Sequence, residues 1–317
     1  MGVALVVCSA LCLALQNIII KLLFSRQPVL GFGDWGGWAS PSLSHSLLLM
    51  EMRMLLMVGL LLAIAPWLYP TTWTELRALW QPECRILLQR TLCTGVLLFL
   101  SLAFLYVAIS STTTGIAVTL FFIHPAVTVL LGWLVWGDRP TISRVGVVGI
   151  VLVGILFVTP YPGQLSVGTI MLGSGAAIAA GLTFGAHNVV AQSCLRPQNG
   201  QAACHPIPFS IVNFLVAIAL STLCLPLLQV TIAPEQWIIV WIATLLCAIA
   251  TLAAYVLNFY GIRWLGAATT ALIGACNPVL TCLLAWLVIG ETFGWVQAAG
   301  VVLVAVGVAS LSLSQPH

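Results

Sequence analysis

Apolar runs of about twenty residues, separated by short clusters of Gly, Pro and charge, recur from one end of the chain to the other. A helix crossing the hydrocarbon core of a bilayer needs ~20 mostly apolar residues. The pattern therefore predicts ten spanning helices, near 2–24, 46–69, 86–108, 112–136, 142–159, 166–191, 207–229, 236–259, 267–289 and 293–314. The punctuation between them is of the expected kind: Gly31, Gly33, Gly36, Gly37 and Pro41 fill the first connection, Pro70 closes the second helix, and Pro160 and Pro162 close the fifth. The first run starts at Met1 with neither a basic stretch before it nor a small-residue cleavage pattern after it, so a spanning helix is expected there and not a signal peptide.

Composition agrees with this reading. Hydrophobic residues make up 61% of the 317 and charged residues 5%, against roughly 25% charged in a soluble domain. A chain of this kind cannot cover itself with a solvated surface. The net charge of +3, with no basic tract, excludes nucleic acid as a partner. Ten cysteines are scattered through the apolar runs without a CxxC pair or metal-ligand spacing, and read as small buried hydrophobes. No metal or cofactor is expected.

Charge sets the expected orientation. With both termini in the cytoplasm, Arg77, Arg85, Arg90, Arg139, Arg144, Arg196 and Arg263 fall inside, and Lys21 and Arg26 fall outside. Arg53 lies within the second helix. This asymmetry follows the positive-inside rule, and the chain is expected in the inner (plasma) membrane.

An internal repeat lies under the helix pattern. Shifted by 153 residues, PAVTVLLGWLVWGD (125–138) superposes on PVLTCLLAWLVIGE (278–291) with eight identities in fourteen positions. Pro125, Trp133 and Gly137 match Pro278, Trp286 and Gly290, and each segment ends on an acid. A second match, offset by 171, sets Asn17 on Asn188. Five helices separate equivalent segments, and because five is odd the second copy must enter the membrane from the opposite side. Inverted repeats of this sort build many secondary transporters, whose site lies near the bilayer midplane at the repeat interface. The expected architecture is an all-α membrane protein of ten transmembrane helices, two five-helix inverted repeats (1–160 and 161–317) around a central cavity.

The apolar helix ending in Pro, Trp, Leu, Gly and acid, present twice, with Asn17 and Lys21 in the first helix and Arg53 in the second, resembles the EamA-type branch of the drug/metabolite transporter superfamily. The resemblance implies ten helices, cytoplasmic ends and a central cavity lined chiefly by helices 1, 3, 4, 6, 8 and 9. His124 before the first proline, Asp138 in place of Glu, and Glu51 near Arg53 depart from the family pattern.

Polar residues inside apolar runs are the candidate chemistry. An ionised side chain at mid-membrane costs roughly 2.5–3.5 kcal/mol on insertion scales, which marks Arg53 as a functional candidate. Glu51, two positions away, points to the opposite side of the helix, at about 200°. Its depth matches that of Lys21, so a Lys21–Glu51 bridge or shared water is expected, with snorkelling of Lys21 to the headgroups as the alternative. Thr270, Asn277 and Thr281 form one stripe on the ninth helix, and Thr244, Thr251, Tyr255 and Asn258 another on the eighth. Asn17 with Lys21, and Asn188 with Gln192, share faces at i,i+4. Lipid cannot satisfy such groups, so these stripes face the bundle interior. Each single Asn or Thr there is either a substrate contact or an interhelical hydrogen bond. His124 is a candidate proton carrier or a packed imidazole. Gly173, Ala177, Gly181 and Gly185 form a small-residue stripe suited to close helix approach, and Pro125 and Pro278 are expected to kink equivalent helices.

The candidate substrate-binding set is therefore Asn17, Lys21, Arg53, His124, Asn188, Thr251, Tyr255, Asn258, Thr270 and Asn277. No HExxH, GxSxG, Gly-rich phosphate loop or paired intramembrane aspartate is present, so an enzyme is not expected. The expected function is secondary transport, as exporter or facilitator, of small polar metabolites such as amino acids by alternating access. The alternative is a carrier of anions such as organic acids or phosphorylated compounds. A monomer is expected, with protons as a candidate coupling ion.

Overall fold

A computed structural model describes residues 2–30, 33–39, 42–111, 117, 120–137, 141–158, 167–197, 203–224, 232, 234–290 and 294–313. The structure is all-α apart from one small hairpin. Its helices are α1 (Gly2–Phe24), α2 (Leu43–Leu68), α3 (Thr72–Leu79), α4 (Arg85–Ser111), α5 (His124–Trp136), α6 (Ile142–Val158), α7 (Val167–Leu195), α8 (Pro206–Cys224), α9 (Trp237–Leu265), α10 (Ala267–Gly274), α11 (Asn277–Ile289) and α12 (Trp295–Leu313). Among the described residues, helical segments at 2–24, 44–68, 82–109, 206–224, 234–265 and 267–289 are long and apolar enough to cross a membrane. Shorter apolar helices lie at 124–136, 145–157 and 298–307. Leu11, Leu55, Leu134, Leu246, Ile249 and Leu287 all stand exposed on the outside of the bundle. An apolar surface this extensive fits contact with lipid and not with water.

The expected helix boundaries hold closely at α1, α4 and α6, whereas α7 and α9 run several residues past their expected ends. Residues 112–116, 118 and 119, together with Asp138 and Arg139, lie outside the described residues. Between α2 and α4 the chain forms the short helix α3, which buries Thr72 and Leu79. After α1 comes a two-residue hairpin, Gln27–Pro28 paired antiparallel with Asp34–Trp35. Backbone amides of Gly37, Trp38 and Ala39 then return to the carbonyls of Leu22 and Leu23, satisfying the open end of α1.

Both prolines of the sequence repeat interrupt their helices in the same way. Turn residues Phe122–Ile123 precede α5 and turn residues Ala275–Cys276 precede α11, and Pro125 and Pro278 are each the second residue of the new helix. There the missing N–H belongs to the unpaired first turn and costs nothing. Both helices also end alike, on Gly137 and Gly290 in the left-handed conformation (φ 73° and 66°), a cap that glycine adopts without strain. The expected kinks are interruptions of the helical hydrogen bonding, across which Ile123, Ala275 and Cys276 keep right-handed backbone angles.

The principal helix contacts join α1 with α9 and α11, α4 with α7 and α8, α5 with α7 and α10, α2 with α8 and α9, and α6 with α12. Every one of these links the two sequence halves. At the α5–α7 crossing, a Cβ on Gly181 would stand 2.6 Å from Ile123 and 2.8 Å from the Phe121 carbonyl. One on Gly185 would stand 2.6 Å from Val127. The small-residue stripe is a packing surface.

Candidate functional site

Arg53 lies well inside α2 and is 5% exposed. It borders a small cavity between α1, α2, α4 and α9, together with Ile20, Leu23, Phe24, Ser46, Leu49, Tyr106, Thr244 and Cys247. Its Nη2 donates to the Tyr106 hydroxyl over 3.5 Å, at the limit of a hydrogen bond. Its Nε–H has no acceptor among the described residues. The Tyr255 phenol and Cys247 thiol complete the electrostatic surroundings of the guanidinium.

Glu51 faces away, as the helix geometry requires. Its carboxylate accepts hydrogen bonds from the Ser221 and Thr222 hydroxyls of α8, the latter at 2.6 Å. The depth argument that matched Glu51 to Lys21 did not anticipate these partners. Lys21 is half-buried on α1.

Other expected residues gather elsewhere. Asn17 Nδ2 donates to Thr281 Oγ1 at 3.1 Å and, more weakly, to Asn277 Oδ1 at 3.4 Å. Asn277 Nδ2 in turn donates to the Ala10 carbonyl at 3.1 Å. This group ties α1 to α11. One step along α1, Gln16 accepts from the Thr251 hydroxyl of α9 at 2.6 Å. Gln16 was not singled out from the sequence, although it stands beside Asn17 in the same apolar run.

His124 is enclosed by Phe121, Phe122 and Phe184, with ring centroids 5.0, 5.5 and 4.9 Å away, and its Nδ1 has no partner among the described residues. His187 Nδ1 lies 3.0 Å from the Thr94 carbonyl. Asn188 and Thr270 are buried, with Oδ1 and Oγ1 unpartnered among the described residues, and Asn258 is half-buried. Asn213 of α8, also missed from the sequence, is wholly buried with both amide atoms unpartnered among the same residues.

The structure therefore brings Arg53 together with Tyr255, and Asn17 with Asn277, but does not draw the ten expected residues onto one void. Of that set only Arg53 lines the cavity. The lining helices also differ from those the family resemblance implies. They are the first, second, third and eighth of the predicted spans, and the second enters because it carries the arginine.

At the far ends of these helices lies a separate polar cluster. The Tyr69 hydroxyl donates to Glu75 at 2.8 Å, and Glu75 also accepts the His205 amide at 3.2 Å. His205 Nε2 lies 3.3 Å from the Tyr260 hydroxyl, and Arg263 donates to the Cys204 carbonyl at 3.3 Å. Burial holds the His205 imidazole below its ordinary pKa, Arg263 adds to that effect, and Glu75 opposes it. Thr244 and Cys247, in the first half of α9, mark the cavity, whereas Tyr260 and Arg263 sit at its last turns. The cluster thus sits at the end of the bundle away from the cavity.

The model of the EamA-like transporter family matches residues 171–313. An uncharacterized transporter of Synechocystis sp. is 39% identical over 312 residues, covering 98% of this chain and 93% of that protein. A crystal structure sharing 16% identity superposes with a TM-score of 0.72 and covers 98% of this chain and 96% of its own. That likeness is one of fold.

Proposed function

We propose, from the premise that this chain belongs to the EamA-like transporter family, that it carries small polar metabolites across the inner membrane by alternating access to the Arg53 cavity. The chain is a multi-pass membrane transporter, and the observation that carries the finer reading is the arginine: a buried cation beside a cavity, at a depth where a charge persists only for a purpose.

Alternating access draws support from the pattern of helix contacts. Let the ten expected spans be exchanged by five, so that the first becomes the sixth and the third the eighth. The contact of α1 with α9 then becomes that of α7 with α4, α1 with α11 becomes α7 with α5, and α2 with α9 becomes α8 with α4. The contacts of α2 with α8, α5 with α10, and α6 with α12 map onto themselves. Together with the paired helix interruptions, this favours two inverted five-helix repeats (1–160 and 161–317), and the arginine distribution favours cytoplasmic termini. A bundle with such symmetry has a second, related packing in which the opposite end is open. In the present arrangement the Tyr69–Glu75–His205 cluster sits at the end that this topology assigns to the cytoplasm.

Amino acids and anionic metabolites both remain substrate classes of this reading. The turning of Glu51 toward α8 favours the anions, since it leaves the cavity lining without an acid among the described residues. Exchange of labelled amino acids and organic acids in proteoliposomes tests the reading. Saturable flux above that of protein-free vesicles is expected, and an absence of flux across both classes overturns it.

A further inference from the structure

The cavity holds a charge that its walls leave unanswered. Arg53 is the one charged residue among the described residues lining it. Among the described residues its Nε–H lacks an acceptor, and its guanidinium donates only over the long contact to Tyr106. Thr244, on α9, lines the same cavity, and its buried hydroxyl is unpartnered as well. Two residues lining one void therefore each carry a buried donor with no acceptor among the described residues. Buried polar groups are normally hydrogen-bonded, and a buried charge normally has a counter-ion, so a ligand is the natural source of both.

The chemistry of that ligand can be read from the donors. A guanidinium presents paired N–H groups in a plane that fits the two oxygens of a carboxylate. Leu23, Phe24 and Leu49 make the adjoining wall apolar. Resting on the carrier reading above, we infer that the transported compound is a small monocarboxylate with an uncharged body, its carboxylate held by Arg53 and Thr244 and its carbon skeleton against that wall. An amino acid would bring an ammonium that no acid in the lining meets. A dicarboxylate or phosphate ester would bring negative charge beyond what one arginine balances.

The test is exchange transport by the full chain in proteoliposomes at pH 7.5, where acids such as pyruvate are ionised and cross lipid poorly. Labelled pyruvate, lactate and phenylpyruvate are compared with alanine and phosphoenolpyruvate. At least one of the three monocarboxylates is expected to exchange at least tenfold faster than the other two compounds. Arg53→Gln is expected to lower that rate at least tenfold, and Thr244→Val to raise KM several-fold with an unchanged melting temperature. Flux of alanine or phosphoenolpyruvate with none of the monocarboxylates overturns the inference and leaves the carrier reading standing. No flux of any compound overturns both. Should Arg53→Gln fail to fold, an unchanged KM in Thr244→Val is enough to overturn the inference.

Discussion

Tyr69 and His205 lie face to face, their ring centroids 3.7 Å apart and their planes inclined by 9°. The pair joins the residue after α2 to the residue before α8, and Glu75 bonds to both partners. Two connections of the bundle, α2 to α4 and α7 to α8, are thus fastened at one point. Glu75→Ala removes both hydrogen bonds, each worth about 0.5–1.5 kcal/mol in a partly solvated setting. A loss of about 1–3 kcal/mol is expected, seen as a lower melting temperature in detergent. A variant that melts like the wild type would show that the cluster fastens nothing.

The same cluster predicts a pH dependence. His205 is held below its ordinary pKa, so between its folded and unfolded values the unfolded chain binds more protons and stability rises with pH. The contribution is present above about pH 6.5, the unfolded value, and is lost as pH falls toward the folded one. Melting temperatures taken from pH 7.5 to 5.5 should fall, and His205→Gln should flatten the slope. An equal slope in the variant would assign it to other groups.

Asn17 and Asn277 are expected to be coupled. Interhelical hydrogen bonds in membranes are worth about 0.6–2 kcal/mol, and the contact between these two is long, at 3.4 Å. A double-mutant cycle with Asn17→Ala and Asn277→Ala should therefore give a coupling near the lower figure, measured by unfolding in mixed micelles. Strict additivity would mean that each amide acts through Thr281 or Ala10 alone.

Gly181→Leu should be poorly tolerated. Its Cβ would fall 2.8 Å from a backbone carbonyl, which cannot swing aside as a side chain can. Overpacking costs typically 1–3 kcal/mol, more than the roughly 1 kcal/mol that glycine replacement returns in a helix. Reduced yield of folded protein by size-exclusion chromatography is the readout, and a yield equal to wild type would show that α5 and α7 can separate.

Much of the fold was legible in the sequence because in lipid the apolar run and the helix coincide. The ends of α1 at Gly2 and Phe24 follow from where apolar residues stop, and the interruptions near Pro125 and Pro278 follow from a missing N–H. Helix α3 was not legible, since eight residues of mixed polarity carry no spanning signal. The site was legible only in part. Periodicity assigns Glu51 and Arg53 to opposite faces but says nothing of which helix each face meets, and Ser221 and Thr222 lie some 170 positions away. The polar stripes likewise identified inward faces. They did not separate the group that holds α1 to α11 from the wall of the cavity.

The interleaving of the two halves bears on how the molecule comes into being. When α1 to α6 have left the ribosome, most of the surfaces they will finally pack against have not yet been translated. Each early span must therefore persist in the bilayer on the strength of its own apolarity, and close packing waits for the later helices. A truncation after residue 160 would then be expected to insert and yet never consolidate, leaving Gly95 without Val216 and Arg53 without Thr244 and Cys247.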